Sequence, residues 1–185
     1  MSFNINYRII PECYIDTNLV ETIVPPERVG STHGYNHQHS CNKVIGIMKD
    51  KLNDDFAVGI LDYDKRPLSH TSKFELLTEK QSLKLYKHPE KDHYLIFHPP
   101  IEQWILDEAK RVGIALDEHA YNLPTTLKEL MDETKHEHSK NDQRFKRLFR
   151  ALIKQNAIGI SLLASWIRYL KDHHRKANIL ELKNL

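Results

Sequence analysis

Phe56-Ala57-Val58-Gly59-Ile60-Leu61-Asp62-Tyr63-Asp64 decides the architecture. Six apolar residues in a row, bounded by aspartates, read as a strand buried on both faces, as in the centre of a parallel sheet. Upstream, Tyr7-Arg8-Ile9-Ile10 makes a short strand ending at Pro11-Glu12. Asp16-Thr17 then offers a helix N-cap, with Leu19, Val20 and Ile23 on one side and Pro25-Pro26 as the stop. Arg28 to Ser31 reads as a second short strand, and Ser31 to Ser40 as a polar, His-rich loop. From Ser40 the positions Val44, Ile45, Met48 and Leu52 recur at helical spacing. Leu83 to Lys87 and His93 to His98 are strand-like runs, forming a hairpin or two sheet strands joined by a tight loop. After Pro99-Pro100 the pattern is helical to the end, in segments 101–112, 124–133, 141–155 and 158–176. The expectation is an α/β fold: a mostly parallel sheet flanked by helices over residues 1–113, with an all-helical C-terminal extension, 114–185, packed on it.

The chain has 185 residues, enough for one domain with a substantial core. With 28% charged residues and a mean hydropathy of −0.57, its composition is that of an ordinary water-soluble protein. No apolar run approaches the roughly 20 residues that a spanning helix needs, so no membrane association is expected. The opening MSFNINYRII lacks a basic stretch followed by an apolar one. Cys13 and Cys41 are too few for a disulfide framework, and a cytoplasmic location follows as the expectation. The net charge of +2 hides a division. Residues 135–178 carry eleven Lys/Arg against three acids, a net +8, which leaves the rest of the chain at −6. Such asymmetry suits a polyanionic partner, and equally a solvated Lys-rich helix face. The cations singled out for a nucleic-acid contact are Lys43, Lys65, Arg66, Arg144, Lys146, Arg147 and Arg150.

Acidic residues fall where α/β proteins place chemistry, just past the carboxyl ends of strands. Glu12 follows the first strand, Asp62 and Asp64 the most buried one, and Glu102 the His93–His98 run. In an extended segment Asp62 and Asp64 point the same way, and like charges held together raise each other's pKa unless a cation lies between them. A hard divalent ion, Mg²⁺ or Mn²⁺, meets that need and leaves positions for a phosphate. Solvated loop acids are the plainer reading of the same residues.

These residues also carry a family resemblance. Ile10-Pro11-Glu12-Cys13-Tyr14-Ile15-Asp16-Thr17-Asn18-Leu19-Val20 resembles the opening of Toprim domains, where a strand ends in Glu and a short loop with a later Asp leads into a helix. Phe56 to Asp64 is similar to the family's Asp-x-Asp strand, and Ile101-Glu102-Gln103-Trp104 to a segment of OLD-nuclease-type Toprim proteins. The resemblance covers about residues 7–110. It implies phosphoryl transfer on nucleic acid, as in nucleases, topoisomerases and primases. Under it Glu12 is the general acid/base or a metal-supporting carboxylate, Asp62 and Asp64 hold Mg²⁺ (or Mn²⁺), and Glu102 could complete a second metal position. Cys13 stands where Toprim domains usually have Gly, which leaves a catalytically degenerate module that binds nucleic acid or a protein partner as the alternative. No Gly-x4-Gly-Lys-Ser/Thr motif is present, so an ATPase partner would be a separate chain.

Two further patterns stand outside that reading. His33, His37, His39 and Cys41 offer imidazole and thiolate ligands for Zn²⁺ in a spacing that matches no standard zinc module; a solvated loop, or one that lends a His to the site, fits the same residues. Arg168 and His173 fit the Arg-x4-His pattern of helical HEPN ribonucleases, and the cations there also suit a helix C-terminus.

Overall fold

A computed structural model describes residues 4–28, 34–63 and 73–185. Five strands form one sheet in the order β1-β2-β5-β4-β3: β1 Ile9–Pro11, β2 Ala57–Asp62, β3 Glu75–Lys80, β4 Leu83–Lys87 and β5 His93–His98. β1, β2 and β5 run parallel, whereas β4 and β3 are antiparallel additions, so the sheet is mixed rather than mostly parallel. The apolar run centred on Ile60 takes the middle: all of β5 and all of β2 but its last residue are buried. The register sets Asp62 beside His98 and Gly59 beside Leu95.

Helices α1 Ile5–Arg8 and α2 Tyr14–Ile23 flank β1, α3 Cys41–Asp50 precedes β2, and α4 Ile101–Arg111 follows β5. α5 Leu127–Thr134, α6 Gln143–Lys154, α7 Ile158–His173 and α8 Ile179–Asn184 complete the chain, with 3₁₀ turns at Glu137–Asn141 and His174–Lys176. Alternation along the strands divides the interior in two. Ile9, Val58, Ile60 and Ile96 face a large core built with Leu19, Trp104, Phe145, Leu148, Phe149 and Trp166. Ile10, Leu61, Leu95 and Phe97 face a smaller one under Val44, Ile45, Met48 and Leu52 of the α3 segment. The C-terminal helices therefore share the sheet's principal core, and Asn18 in α2 fastens them by donating to the carbonyls of Ser139 (2.7 Å) and Asp142 (3.1 Å).

Several boundaries move from the sequence expectation. Asn4 caps α1 through a bond from the Tyr7 amide, so the first strand begins at Ile9 rather than Tyr7. Cys13, not Asp16, is the N-cap of α2; Asp16 reaches back to the Cys13 N–H while the Cys13 sulfur accepts from the Asp16 N–H, a reciprocal capping box. β3 was not anticipated, because at this sheet edge it carries no fully buried residue and hence no apolar signature. Residues 29–31 of the expected second strand lie outside the described residues, as do His33, Asp64, Lys65 and Arg66. Among the described residues no helix is long and apolar enough to cross a membrane.

At Gly59 the sheet and α3 pack tightly: a Cβ there would lie 2.8 Å from both Leu95 Cδ2 and Val44 Cγ1, and 3.2 Å from Met48 Sδ. Gly59→Ala is expected to destabilise the fold by about 1–3 kcal/mol, the usual cost of overpacking. Urea unfolding monitored by Trp fluorescence checks this, and an unchanged midpoint would refute it.

Candidate metal centre at the strand ends

Three parallel strands deliver their carboxyl ends to one place. Glu12 follows β1, Asp62 ends β2 and His98 ends β5, while Asp16 descends from the first turn of α2. His98 is completely buried, as is Asp16, and the ring lies between two carboxylates: Nε2 is 3.3 Å from Asp16 Oδ1 and Nδ1 is 3.2 Å from Asp62 Oδ1. Nδ1 also sits 2.8 Å from the Pro99 carbonyl oxygen. With oxygens near both nitrogens, the metal-free ring favours the doubly protonated imidazolium form. Trp104, on the first turn of α4, stacks on it with centroids 5.5 Å apart and planes 15° from parallel.

Distance makes these contacts ion pairs, but their angles fall short of hydrogen bonds. Asp16 Oδ1, Asp62 Oδ1 and His98 Nε2 are buried without a hydrogen-bonded partner among the described residues. Unsatisfied buried polar atoms are uncommon and call for an explanation. Here three of them converge, with ligand atoms of Asp16, Asp62 and His98 all within 4.8 Å of one another, so the group can hold a metal ion. Asp62, its side chain 35% exposed, is the member open to solvent.

Glu12 braces the rim. Its carboxylate accepts from the Cys41 N–H (2.8 Å) at the start of α3 and from the Asp62 N–H (3.3 Å), joining β1, β2 and a helix N-terminus. Burial, then the nearby Asp16 charge, raise its pKa against the lowering effect of those two amides. Burial also lifts Asp62, to about 8, with Asp16, Glu12 and Glu102 adding to the rise and His98 opposing it. Burial would lower His98, but Asp16 foremost, then Asp62 and the Pro99 carbonyl, carry it to about 9. Asp16, despite burial, is held below the ordinary range by His98 and by its contacts with Cys13.

Of the residues expected from the sequence, Glu12 and Asp62 come together here. Glu102 sits on the first turn of α4, where its carboxylate accepts the Thr134 hydroxyl and its charge reaches Asp62. Asp16 had been read only as a helix cap, and His98 had no signal except its place one residue before Pro99-Pro100 at the end of an apolar run. Cys13 has φ −117° and ψ 176°, ordinary extended backbone that requires no Gly.

The His-rich loop packs beside this centre. Thr17 Oγ1 donates to the Cys13 carbonyl, so at the 2.8 Å contact with His37 Nδ1 it is the ring N–H that donates, leaving the lone pair on Nε2. His37 stacks on Tyr14 (4.7 Å) and meets the edge of His39 (4.7 Å). Cys41 lies by Glu12, burial and that carboxylate pushing its thiol up to about 12. Among the described residues, His37, His39 and Cys41 form no three-ligand group of the kind a zinc site needs. A second grouping, Glu133, His138 and Asp142, already contains a cation: Arg144 pairs with Glu133 and Asp142 at 2.7 Å each.

Several of the basic residues are engaged within the fold. Besides its ion pairs, Arg144 donates to the Asn122 carbonyl, and Arg147 donates to that of Ala120. Arg168 reaches the Ile23 carbonyl, Lys171 that of Pro25 and Arg175 that of Asp54. His173 stacks on Tyr169 and bonds to its carbonyl, so Arg168 and His173 are engaged at different places. Lys43 and Arg150 are exposed and Lys146 is half-buried.

Two pH effects follow. A folded-state pKa above the unfolded value means stability that is complete below the unfolded value and lost as pH rises through the folded one. For His98 that window runs from 6.5 to about 9, and Asp62, raised from 3.8 to about 8, contributes in the same direction. In EDTA, stability to urea is expected to fall as pH rises through the Asp62 window, 3.8 to about 8, and the His98 window, 6.5 to about 9; His98→Gln should remove the His98 part of that slope while costing about 3–5 kcal/mol overall. A pH-independent midpoint would contradict the buried imidazolium. His37 moves oppositely: burial, then the Lys140 and His39 charges, depress it to about 4. ¹⁵N NMR should therefore show a neutral ring protonated at Nδ1 down to about pH 5; an imidazolium signal at pH 6 would refute the assignment.

Compared with protein-family models, with curated proteins and with solved structures, the chain gives no match, so the reading of this centre rests on its own geometry.

Proposed function

We propose that this chain is a Toprim-like, metal-dependent phosphoryl-transfer protein with nuclease-like chemistry on nucleic acid, a component of DNA processing or defence. One observation carries the reading: Glu12, Asp16 and Asp62 meet around a buried His98 at the carboxyl ends of three parallel strands, with unsatisfied oxygens facing one another. The donor chemistry fits a hard divalent ion, since carboxylate oxygens suit Mg²⁺ and the His98 ring, once it gives up one proton to a bound ion, suits Mn²⁺ equally. Bound there, such an ion would supply the positive charge that a phosphate undergoing substitution needs.

The remaining chemistry belongs to side chains. Asp62, partly exposed, presents the carboxylate to an incoming group, while Asp16 is held rigid from below by the Cys13 amide and His98. Glu12, its pKa raised, is the group that accepts a proton from an attacking hydroxyl or returns one to a leaving oxygen. Trp104 closes the floor against water. Asp64 and Glu102 remain the candidates for a second metal position, and Lys43, Lys146 and Arg150 for contacts to the phosphate backbone. A partner ATPase would be a separate chain.

The test is incubation with DNA and with RNA in Mg²⁺ or Mn²⁺. Divalent-dependent cleavage is expected, falling at least about 100-fold in Asp62→Asn and in Asp16→Asn, the scale for removing charge stabilisation at the reacting centre. Undiminished cleavage by the folded double variant would overturn the assignment. Binding without any cleavage by the natural sequence would favour the degenerate module instead.

A further inference from the structure

On the sheet face that α3 packs against, Lys84 and Tyr86 of β4 and Tyr63 just past β2 are at least partly exposed. Phe97 is buried there and works as a pedestal: the Tyr63 ring meets it at 6.2 Å and 85°, and the Tyr86 ring at 5.5 Å and 78°. Tyr63 is 48% exposed and Tyr86 is partly exposed. Lys84 pairs in register with Phe97 and stands with its ammonium 4.4 Å from the centre of the Tyr63 ring. Leu76, half exposed, pairs in register with Tyr86 and extends the same face across β3.

Exposed large apolar side chains arranged contiguously on a soluble protein indicate something that covers them. This patch abuts the acidic centre. Tyr63 directly follows Asp62, and its N–H donates to the His98 carbonyl at 2.7 Å, so the platform and the centre hang from the same two strand ends. We infer that Tyr63, Tyr86 and Lys84 form a stacking platform for unpaired bases, and that the nucleic acid addressed by this protein is single-stranded next to the reacting phosphate.

Physical chemistry favours that occupant. Planar rings held edge-on by a buried aromatic cannot swing away, so stacking on them costs little side-chain entropy. The Lys84 ammonium, which lies over the Tyr63 ring, is placed to turn to a phosphate when a base takes that face; its other partner is Glu79, a mostly exposed carboxylate 3.7 Å away. Bases in a duplex already stack on each other and offer no free face to a flat protein surface, whereas a single strand does. This inference builds on the reading of the centre as one that acts on nucleic acid, and its test is independent of catalysis.

The test is fluorescence anisotropy of labelled oligo-dT and of a mixed-sequence duplex, in EDTA at low salt, with the full chain. Tyr63→Ala and Tyr86→Ala should each weaken oligo-dT binding about tenfold or more while changing duplex binding less than twofold. Tyr63→Phe should retain affinity, and Lys84→Gln should lower the salt slope by about one. Tyr63 is exposed, so Tyr63→Ala is expected to fold, and circular dichroism verifies it. Equal affinity for oligo-dT in the natural protein and the Tyr63→Ala, Tyr86→Ala double variant would overturn the platform, as would parallel losses for duplex and single strand. With no divalent ion present the assay reads binding alone; a protein that binds strands in this way yet does not cleave them when Mg²⁺ or Mn²⁺ is supplied would refute the phosphoryl-transfer reading and leave the platform standing.

Discussion

A buried imidazolium between two carboxylates is the constraint around which this fold is arranged. Taking His98 and Asp16 out of water costs several kcal/mol per ion, offset by their attraction at 3.3 Å, by the Cys13 amide on Asp16 and by the Pro99 carbonyl and Asp62 beside the ring. The arrangement fixes three elements at once. β5 must end level with β2 so that His98 and Asp62 are register partners, and α2 must begin soon enough after β1 for Asp16 to reach down. The Cys13 capping box and the Trp104 stack are what hold the outer two members to that geometry. The positive charge that the Asp-rich strand end demands is thus supplied in part by the protein itself.

What the sequence disclosed follows from how strongly each element is tied to burial. β2 was legible because every residue of Ala57–Leu61 is buried, and α3, α6 and α7 because one helical face meets a core. β3 was not, since an edge strand with exposed Glu75, Leu76 and Glu79 leaves no period to detect. The same logic separates the members of the centre. Glu12 and Asp62 announce themselves by terminating strands. Asp16 and His98 do not, because a buried charged residue is intelligible only with its partner, and these partners are 82 positions apart along the chain. Local patterns assign Asp16 to a cap, which is also true of it, and hide its second role.

Charge asymmetry along the chain has a more local meaning than its totals suggest. Part of the +8 of the C-terminal third is engaged within the fold: Arg144, Arg147, Arg168, Lys171 and Arg175 reach the carbonyls of Ile23, Pro25, Asp54, Ala120 and Asn122 and the acids Glu133 and Asp142. Cationic side chains here fasten loops and helix ends to a shared core. Glu12 and the α3 N-terminus work in the opposite sense, a carboxylate satisfying a helix amide at the rim of the centre.

The outer margin of β1 carries its own consequence. The Asn36 and Gln38 amides donate to the carbonyls of Ile9 (3.1 Å) and Pro11 (3.0 Å), while Pro11 has no N–H to offer. A strand whose Ile9 and Pro11 carbonyls are occupied and whose Pro11 offers no N–H is a poor template for another copy of itself. The sheet can therefore end beside its most chemically loaded residues without inviting end-on polymerisation, and the loop that seals that margin is the same one that carries His37 and His39 toward the centre.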